Sequence, residues 1–232
     1  MKAVCFDATV TGFLKATATR RVWPSAMIGK LGTVGLREVP EPDLPGPEWV
    51  KLEVIGCGVC GTDLSTVTYN VSIGLEPFGS FPAVLGHEIL ARVVECGDAV
   101  ENLDVGRRVA VDPTISCTMR GLSPESACVS CRNDHAASCL HGADVGKTMI
   151  GDLAMGPGLT MGYHRDLPGG FSERIVAHRS QLHPVDDVLG DRVATLFEPL
   201  SIATHAVLGT VVHQREPVLV IGSGAIAMGV VW

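Results

Sequence analysis

The sequence is short of positive charge: 18 Lys and Arg stand against 25 Asp and Glu, a formal net charge of −7 over 232 residues. A surface of that sign has no field to attract a phosphate backbone, so nucleic acid is not an expected partner. Charge of either sign is sparse, at 19% of residues against 46% hydrophobic. Wholesale disorder needs the opposite balance, and this chain can bury a core. Two kinds of apolar run are also missing. The start, Met1-Lys2-Ala3-Val4-Cys5-Phe6-Asp7, puts an acid where a secretory leader has its apolar centre. The charge-free tail 217–232 has 16 residues, too few to span a bilayer. The expectation is a cytoplasmic protein without a membrane partner. In a reducing compartment the eight cysteines, at 5, 57, 60, 96, 117, 128, 131 and 139, point to metal or catalysis rather than to disulfides.

No internal repeat or low-complexity tract is present. Residues 1–110 alternate short β-branched runs (50–55, 89–95, 107–111) with Gly, Pro and Asp turns, the texture of an all-β barrel or sandwich. Pro40, Pro42, Pro45 and Pro47 exclude a helix and mark a loop or sheet edge. From 112 to 170, Cys, Gly, Ser and Pro replace the aliphatic runs. A stretch without an apolar stripe needs some other clamp, and metal is the obvious one. Strand texture returns at 171–178. Apolar positions three and four apart predict a helix over about 191–208, and 217–221 reads as one buried strand.

Three constellations carry chemistry. Cys60-Gly61-Thr62-Asp63 is followed by Gly86-His87-Glu88, with His87 24 residues after Asp63. A thiolate, an imidazole and a carboxylate are zinc ligands, and three protein ligands leave a fourth place open for water or substrate. Singly, Cys57, Cys60 and His87 could each be packed core residues; in this order they read as a site. The second constellation is Cys128-Val129-Ser130-Cys131, then Cys139 after seven residues, with Cys117 upstream. Four thiolates close a tetrahedral site, and such a zinc is structural. The third is Gly222-Ser223-Gly224-Ala225-Ile226-Ala227 after the apolar run 218–221, a glycine turn of the kind that lets backbone approach a pyrophosphate at a helix N-terminus.

Together with Glu198-Pro199-Leu200-Ser201, these segments resemble the zinc-dependent medium-chain alcohol and polyol dehydrogenases, and the likeness runs over essentially the whole chain. The resemblance implies a mainly β fold with an α/β tail. A GroES-like β-barrel catalytic domain would cover 1–212, with a structural-zinc lobe inserted at about 112–145. The first strand and start of helix of a Rossmann domain would follow at 213–232. It further implies that Cys60 and His87 hold a catalytic zinc, with Glu88 a direct ligand or just behind it. Glu198 stands where alcohol dehydrogenases place a second cysteine and polyol-type members a glutamate, which leans the chain toward polyols. Asp63 would accept a hydrogen bond from the far nitrogen of His87, and Thr62 would hand the substrate's hydroxyl proton outward. Cys57 reads as a packing residue. Zinc acidifies a bound alcohol so that hydride can leave for the nicotinamide of NAD or NADP, held at Gly222, Gly224 and Ala227. The expected substrate is a small-molecule alcohol or polyol.

Two departures from the family pattern stand out. The first two lobe cysteines are normally separated by two residues. Here Glu125 holds that spacing, while 111–117 resembles the usual lead-in to Cys117; Cys117 followed by an insertion at 118–127 is preferred over Glu125. His135 and His141 match no ligand position and read as solvated. The chain also stops inside the first helix of the coenzyme domain, although a doubly wound domain takes on the order of 120 residues. The acidic residue that separates NAD from NADP falls about 20 residues beyond the glycines, past Trp232. A truncated enzyme is expected, binding zinc but turning over little alcohol unless another chain supplies the missing fold, with homo-oligomers or other association forming through the exposed 218–221 strand. A zinc-stabilised, catalytically silent module is the alternative. A zinc-free quinone reductase is disfavoured by the full ligand set. Residues 69–81 and 11–36 leave the substrate unread, and 11–36 reads as an insertion.

Overall fold

In the computed structural model of the chain, residues 1–19, 22–23, 32–71, 78–144, 149–150, 153–211, 213 and 216–232 are described. The chain runs through β1 (Lys2–Phe6), α1 (Val10–Thr19), β2 (Val34–Glu38), β3 (Trp49–Gly58), α2 (Gly61–Val67), β4 (Ala83–Val84), β5 (Glu88–Cys96) and β6 (Arg108–Val111). After the short helix α3 (Val129–Arg132) come the ribbon β7 (Met149–Ile150) and β8 (Leu153–Ala154), then β9 (Arg174–His178) and β10 (Leu182–Pro184). Helices α4 (Asp191–Ala194), α5 (Phe197–Leu208) and α6 (Ala225–Val231) complete it.

The aliphatic runs pair into a five-stranded antiparallel sheet of order β10-β6-β5-β3-β9, beside a three-stranded sheet β2-β1-β4. Period-two alternation decides which side chains face in. Leu52 is fully buried, whereas its neighbour Lys51 reaches the carboxylates of Glu41 and Glu95 at 3.8 and 3.5 Å. Trp49, Leu52, Ile89, Val93, Val109 and Ile175 share one apolar core with Met119, Met155 and Met161, so the loops after 112 are tied to the five-stranded sheet by methionines. Strand β3 slips register between Val54 and Gly56, an irregularity that re-aims its end. That end leads into the Cys57–Asp63 turn.

The runs at 50–55, 89–95 and 107–111 give β3, β5 and β6, and the 171–178 stretch gives β9 from Arg174 onward. The helical stretch predicted over 191–208 is two helices, because Pro199 has no N–H to give the carbonyl four residues back, and a continuous helix through Thr195 cannot form. Pro199 instead occupies the first turn of α5, where its missing donor has no partner to lose, and Glu198 sits beside it at the positive end of the helix. Segment 11–36 carries regular structure at both its ends. Its first part is α1 and its last belongs to the edge strand β2. Phe13 packs edge-on toward Tyr69, whose hydroxyl meets Thr33 Oγ1 at 2.6 Å and donates to the Asp7 carbonyl. Residues 20–21, 24–31 and 72–77, within the two stretches left unread above, lie outside the described residues.

The tail corrects the sequence reading. Residues 217–221 join no ladder, and Val218, Leu219 and Ile221 are 61%, 83% and 90% exposed. A parallel strand needs neighbours on both edges and cover on both faces, and the described residues supply neither. The helix expected after the glycines does form: α6 lies against α5 so closely that a Cβ on Gly229 would stand 2.9 Å from Ala203 Cβ.

Candidate metal centres and the glycine turn

Cys60 occupies the N-cap of α2 in extended conformation, and its N–H donates to Asp63 Oδ2 at 2.9 Å, which locks the turn that presents the thiol. His87 and Glu88 arrive from the opposite side, at the head of β5. Gly86 just before them holds φ +97°, with Phe171 and Cys57 pressed against it. Gly58 must also lack a side chain, since a Cβ there would fall 1.9 Å from Glu88 Oε2. The outcome is that one ligand atom each from Cys60, His87 and Glu88 lie within 4.8 Å of one another.

Asp63 is buried under this trio. Its Oδ1 stands 3.6 Å from His87 Nδ1 and accepts a hydrogen bond from the Tyr163 hydroxyl at 2.7 Å. The Tyr163 ring lies tilted against the imidazole, centroids 5.3 Å apart. Burial by itself would depress the His87 pKa, but the facing Asp63 carboxylate and Cys60 outweigh it and carry the imidazole up to about 9. His87 Nδ1 is buried, and the group it faces is Asp63 Oδ1 at 3.6 Å, too long for a strong hydrogen bond. With that nitrogen turned to Asp63, Nε2 is the one left to ligate. The electrostatics ask for a cation, and a soft-hard mixed donor set of S, N and O fits a zinc with one open place. Thr62 Oγ1 lies 3.6 Å from Cys60 Sγ.

Glu198 is outside the trio. It is half-buried at the start of α5, and burial, reinforced by Glu88, Asp112 and Asp63 and opposed by His87, raises its carboxyl pKa. It lines a second cavity of about 590 Å³ together with Asp112, His183 and Ser201. Cys57 also stands apart. Its sulfur packs toward Gly86 and Gly170, and burial, with Asp63, pushes its thiol upward.

Two of the trio, Cys60 and Glu88, and the glycine turn open onto one cleft. A space of about 820 Å³ is lined by Cys60, Thr62 and Glu88 on one side and by Gly224, Ala225 and Ala227 on the other. Gly222 has φ +144°, and a Cβ there would come within 3.4 Å of the Ala227 methyl.

The second cluster is assembled by turns rather than by a sheet. Cys117, Cys128, Cys131 and Cys139 bring their sulfurs within 4.8 Å of one another, with Cys117 and Cys139 at 3.7 Å. Two sulfurs each about 2.3 Å from a tetrahedral ion stand roughly 3.8 Å apart. Backbone N–H groups of Cys128, Cys131, Leu140 and Cys117 point at the sulfurs over 3.3 to 3.5 Å, the pattern that stabilises thiolates. Although burial opposes it, the amides of Cys131 and Leu140 draw the Cys128 thiol down to about 6. A tetrathiolate zinc fits this donor set. Glu125 is exposed and lies outside the cluster, His135 is exposed, and His141 Nδ1 pairs with Asp144 Oδ2 at 2.7 Å.

Tyr163 escaped the sequence reading. Nothing local marks it, since its partner Asp63 is 100 positions away. Among the described residues, no helix is long and apolar enough to cross a membrane.

Against this geometry, the family model of the alcohol dehydrogenase GroES-like domain matches residues 46–187. L-galactonate-5-dehydrogenase of Escherichia coli (strain K12) is 31% identical over 193 residues, which cover 83% of this chain and 46% of that protein. The chain spans about half the length of the curated relatives it matches. A candidate zinc-binding dehydrogenase of Sinorhizobium meliloti 1021, solved with NADP, superposes with a TM-score of 0.59 at 26% identity over 89% of this chain and 44% of its own. Galactitol-1-phosphate dehydrogenase of Escherichia coli has the same fold, with a TM-score of 0.68 at 21% identity over 99% of this chain and 51% of its own.

Proposed function

This chain belongs to the alcohol dehydrogenase GroES-like domain family, and from that premise we propose that it carries the metal centres of a zinc-dependent alcohol or polyol dehydrogenase that uses NAD or NADP. The observation behind this reading is that Cys60 and Glu88, whose ligand atoms lie within 4.8 Å of each other and of that of His87, line one cleft with the Gly224–Ala227 turn. On this reading residues 1–212 form the catalytic domain, with its zinc lobe near 112–145, and 213–232 begin the coenzyme domain.

Cys60, His87 and Glu88 would hold the catalytic zinc, and Glu198 adds negative charge beside it. When bound, the metal supplies the Lewis acidity that acidifies a substrate alcohol near neutral pH. Asp63 fixes the tautomer and ring plane of His87, and Tyr163 in turn fixes Asp63. Thr62, on the cleft wall, would relay the hydroxyl proton, accepting a hydrogen bond from the substrate hydroxyl while giving its own proton to water. Val59, Pro199 and Ile226 give the same wall an apolar lining. Gly222, Gly224 and Ala227 leave room for a pyrophosphate at the start of α6. Cys117, Cys128, Cys131 and Cys139 would hold a structural zinc. All eight cysteines are unpaired, which suits a reducing, cytoplasmic setting. The substrate is a small alcohol or polyol, as the name of the galactonate dehydrogenase relative suggests.

A catalytically silent zinc module is favoured by one observation, the unpaired and exposed 217–221 segment beside the glycine turn. Zinc analysis and coenzyme titration of the purified chain separate the two readings. Two zinc per chain with saturable NAD(P)H binding supports the enzyme. Two zinc without coenzyme binding supports the silent module. A chain with no zinc overturns both.

A further inference from the structure

Arg120 is 1% exposed, a cation at the depth of the core. One of its guanidinium nitrogens donates to the Gly158 carbonyl, while Nε and the other terminal nitrogen have no hydrogen-bond partner. Among the described residues it makes no salt bridge. Guanidinium does not shed its proton in a protein, so it cannot escape burial by neutralising itself. An uncompensated buried charge is strongly destabilising, and a fold that keeps one has an anion for it.

The neighbours identify that anion. Arg120 N lies 3.1 Å from the Cys117 carbonyl, so its side chain springs from the turn that begins at the first lobe cysteine. The groups within electrostatic reach are Cys139, Asp144 and Cys117. Cys139 acts on it most strongly, Asp144 shares its carboxylate with His141, and Cys117 adds to the same side, so the sulfurs flank the one nearby carboxylate as compensating groups. Four thiolates around a divalent ion carry a net charge of −2 (4 × −1 + 2). We propose that Arg120 is the built-in counter-cation of the Cys117, Cys128, Cys131 and Cys139 centre, lowering the charge of the buried assembly to −1 and raising its hold on the metal. Arg120 lies within segment 118–127, the stretch that departs from the family's cysteine spacing, so the departure brings its own charge compensation. The Gly158 hydrogen bond also ties the centre to the loop that carries Tyr163.

The inference rests on reading the four cysteines as a zinc site. Zinc stoichiometry of the unmodified chain tests that reading by itself. The inference is tested by chelator competition for zinc on the full chain and on Arg120→Lys, Arg120→Met and Arg120→Gln. Cobalt substitution reports on the intact tetrathiolate through its ligand-field and thiolate charge-transfer bands. Loss of an outer partner typically costs about 10- to 100-fold in metal affinity. The expectation is a loss of that order for Met and Gln, with Lys retaining most of the affinity. Met and Gln variants that bind zinc as tightly as the parent overturn the proposal. So does a Lys variant as weak as Met, because that would assign the effect to shape instead of charge. If Met fails to assemble the cobalt site even at saturation, the Lys variant alone decides: recovery supports the counter-cation, and failure overturns it.

Discussion

The hydroxyl of Tyr163 donates to the same Asp63 oxygen that faces His87, at 2.7 Å on one side and 3.6 Å on the other. One carboxylate thus joins the loop after the zinc lobe to the imidazole of the proposed catalytic centre. Its second oxygen holds the Cys60 amide. Asp63 therefore orients two of the three candidate ligands at once.

Replacing Tyr163 by Phe removes one hydrogen bond to a buried carboxylate and leaves the ring packing in place. A loss of about 1–3 kcal/mol is expected in urea unfolding, with zinc content kept at two per chain. Asp63→Asn should be worse for the metal, lowering affinity at the Cys60 centre about 10- to 100-fold. An Asn variant that binds zinc as the parent does would remove Asp63 from the site.

The metal-free chain should lose stability as pH rises. The facing Asp63 and Cys60 carry the His87 pKa from the ordinary 6.5 up to about 9, so the folded state binds the proton more tightly. Its stabilising contribution is fully present below pH 6.5 and disappears as pH climbs through 9. Denaturant midpoints of the apo protein over that window should fall, and His87→Asn should flatten the slope. A midpoint that rises between pH 6.5 and 9 contradicts the assigned environment.

Cys117→Ser is expected to remove one zinc per chain and to expose the lobe to protease, because the lobe's own small cluster is built around the sulfurs, with only Leu122, Ala127 and Leu159 packed against them. Glu125→Gln should leave zinc content unchanged, since Glu125 is exposed and outside the cluster. Metal analysis after dialysis distinguishes the two. The reverse pattern would restore Glu125 as the ligand.

The tail should drive association. Leu219, Ile221 and Trp232 are 83%, 90% and 100% exposed, and Val218, Met228 and Val231 are exposed beside them. A chain ending at Glu216 should sediment as a smaller species than the parent at equal concentration. Unchanged sedimentation would assign association, if any, to another face.

Much of this protein was legible in the residue order alone. The strands of the barrel follow from β-branched alternation. The two donor sets follow from residue chemistry, because thiols, imidazole and carboxylate at short spacings have few other uses together. Pro199 announces a helix start, although its power to divide the predicted 191–208 helix became visible only once α4 and α5 were seen flanking it. What the order of residues could not decide was every relationship across long separations. Glu88 rather than Glu198 completes the trio because Gly58 leaves space for its carboxylate. Cys117 rather than Glu125 completes the sulfur cluster because a turn folds the 118–127 segment outward and leaves Arg120 inside. Tyr163 reaches Asp63 from 100 residues away. The 217–221 run, strand-like by composition, makes no strand because a ladder is a property of two segments and no local preference can supply the second.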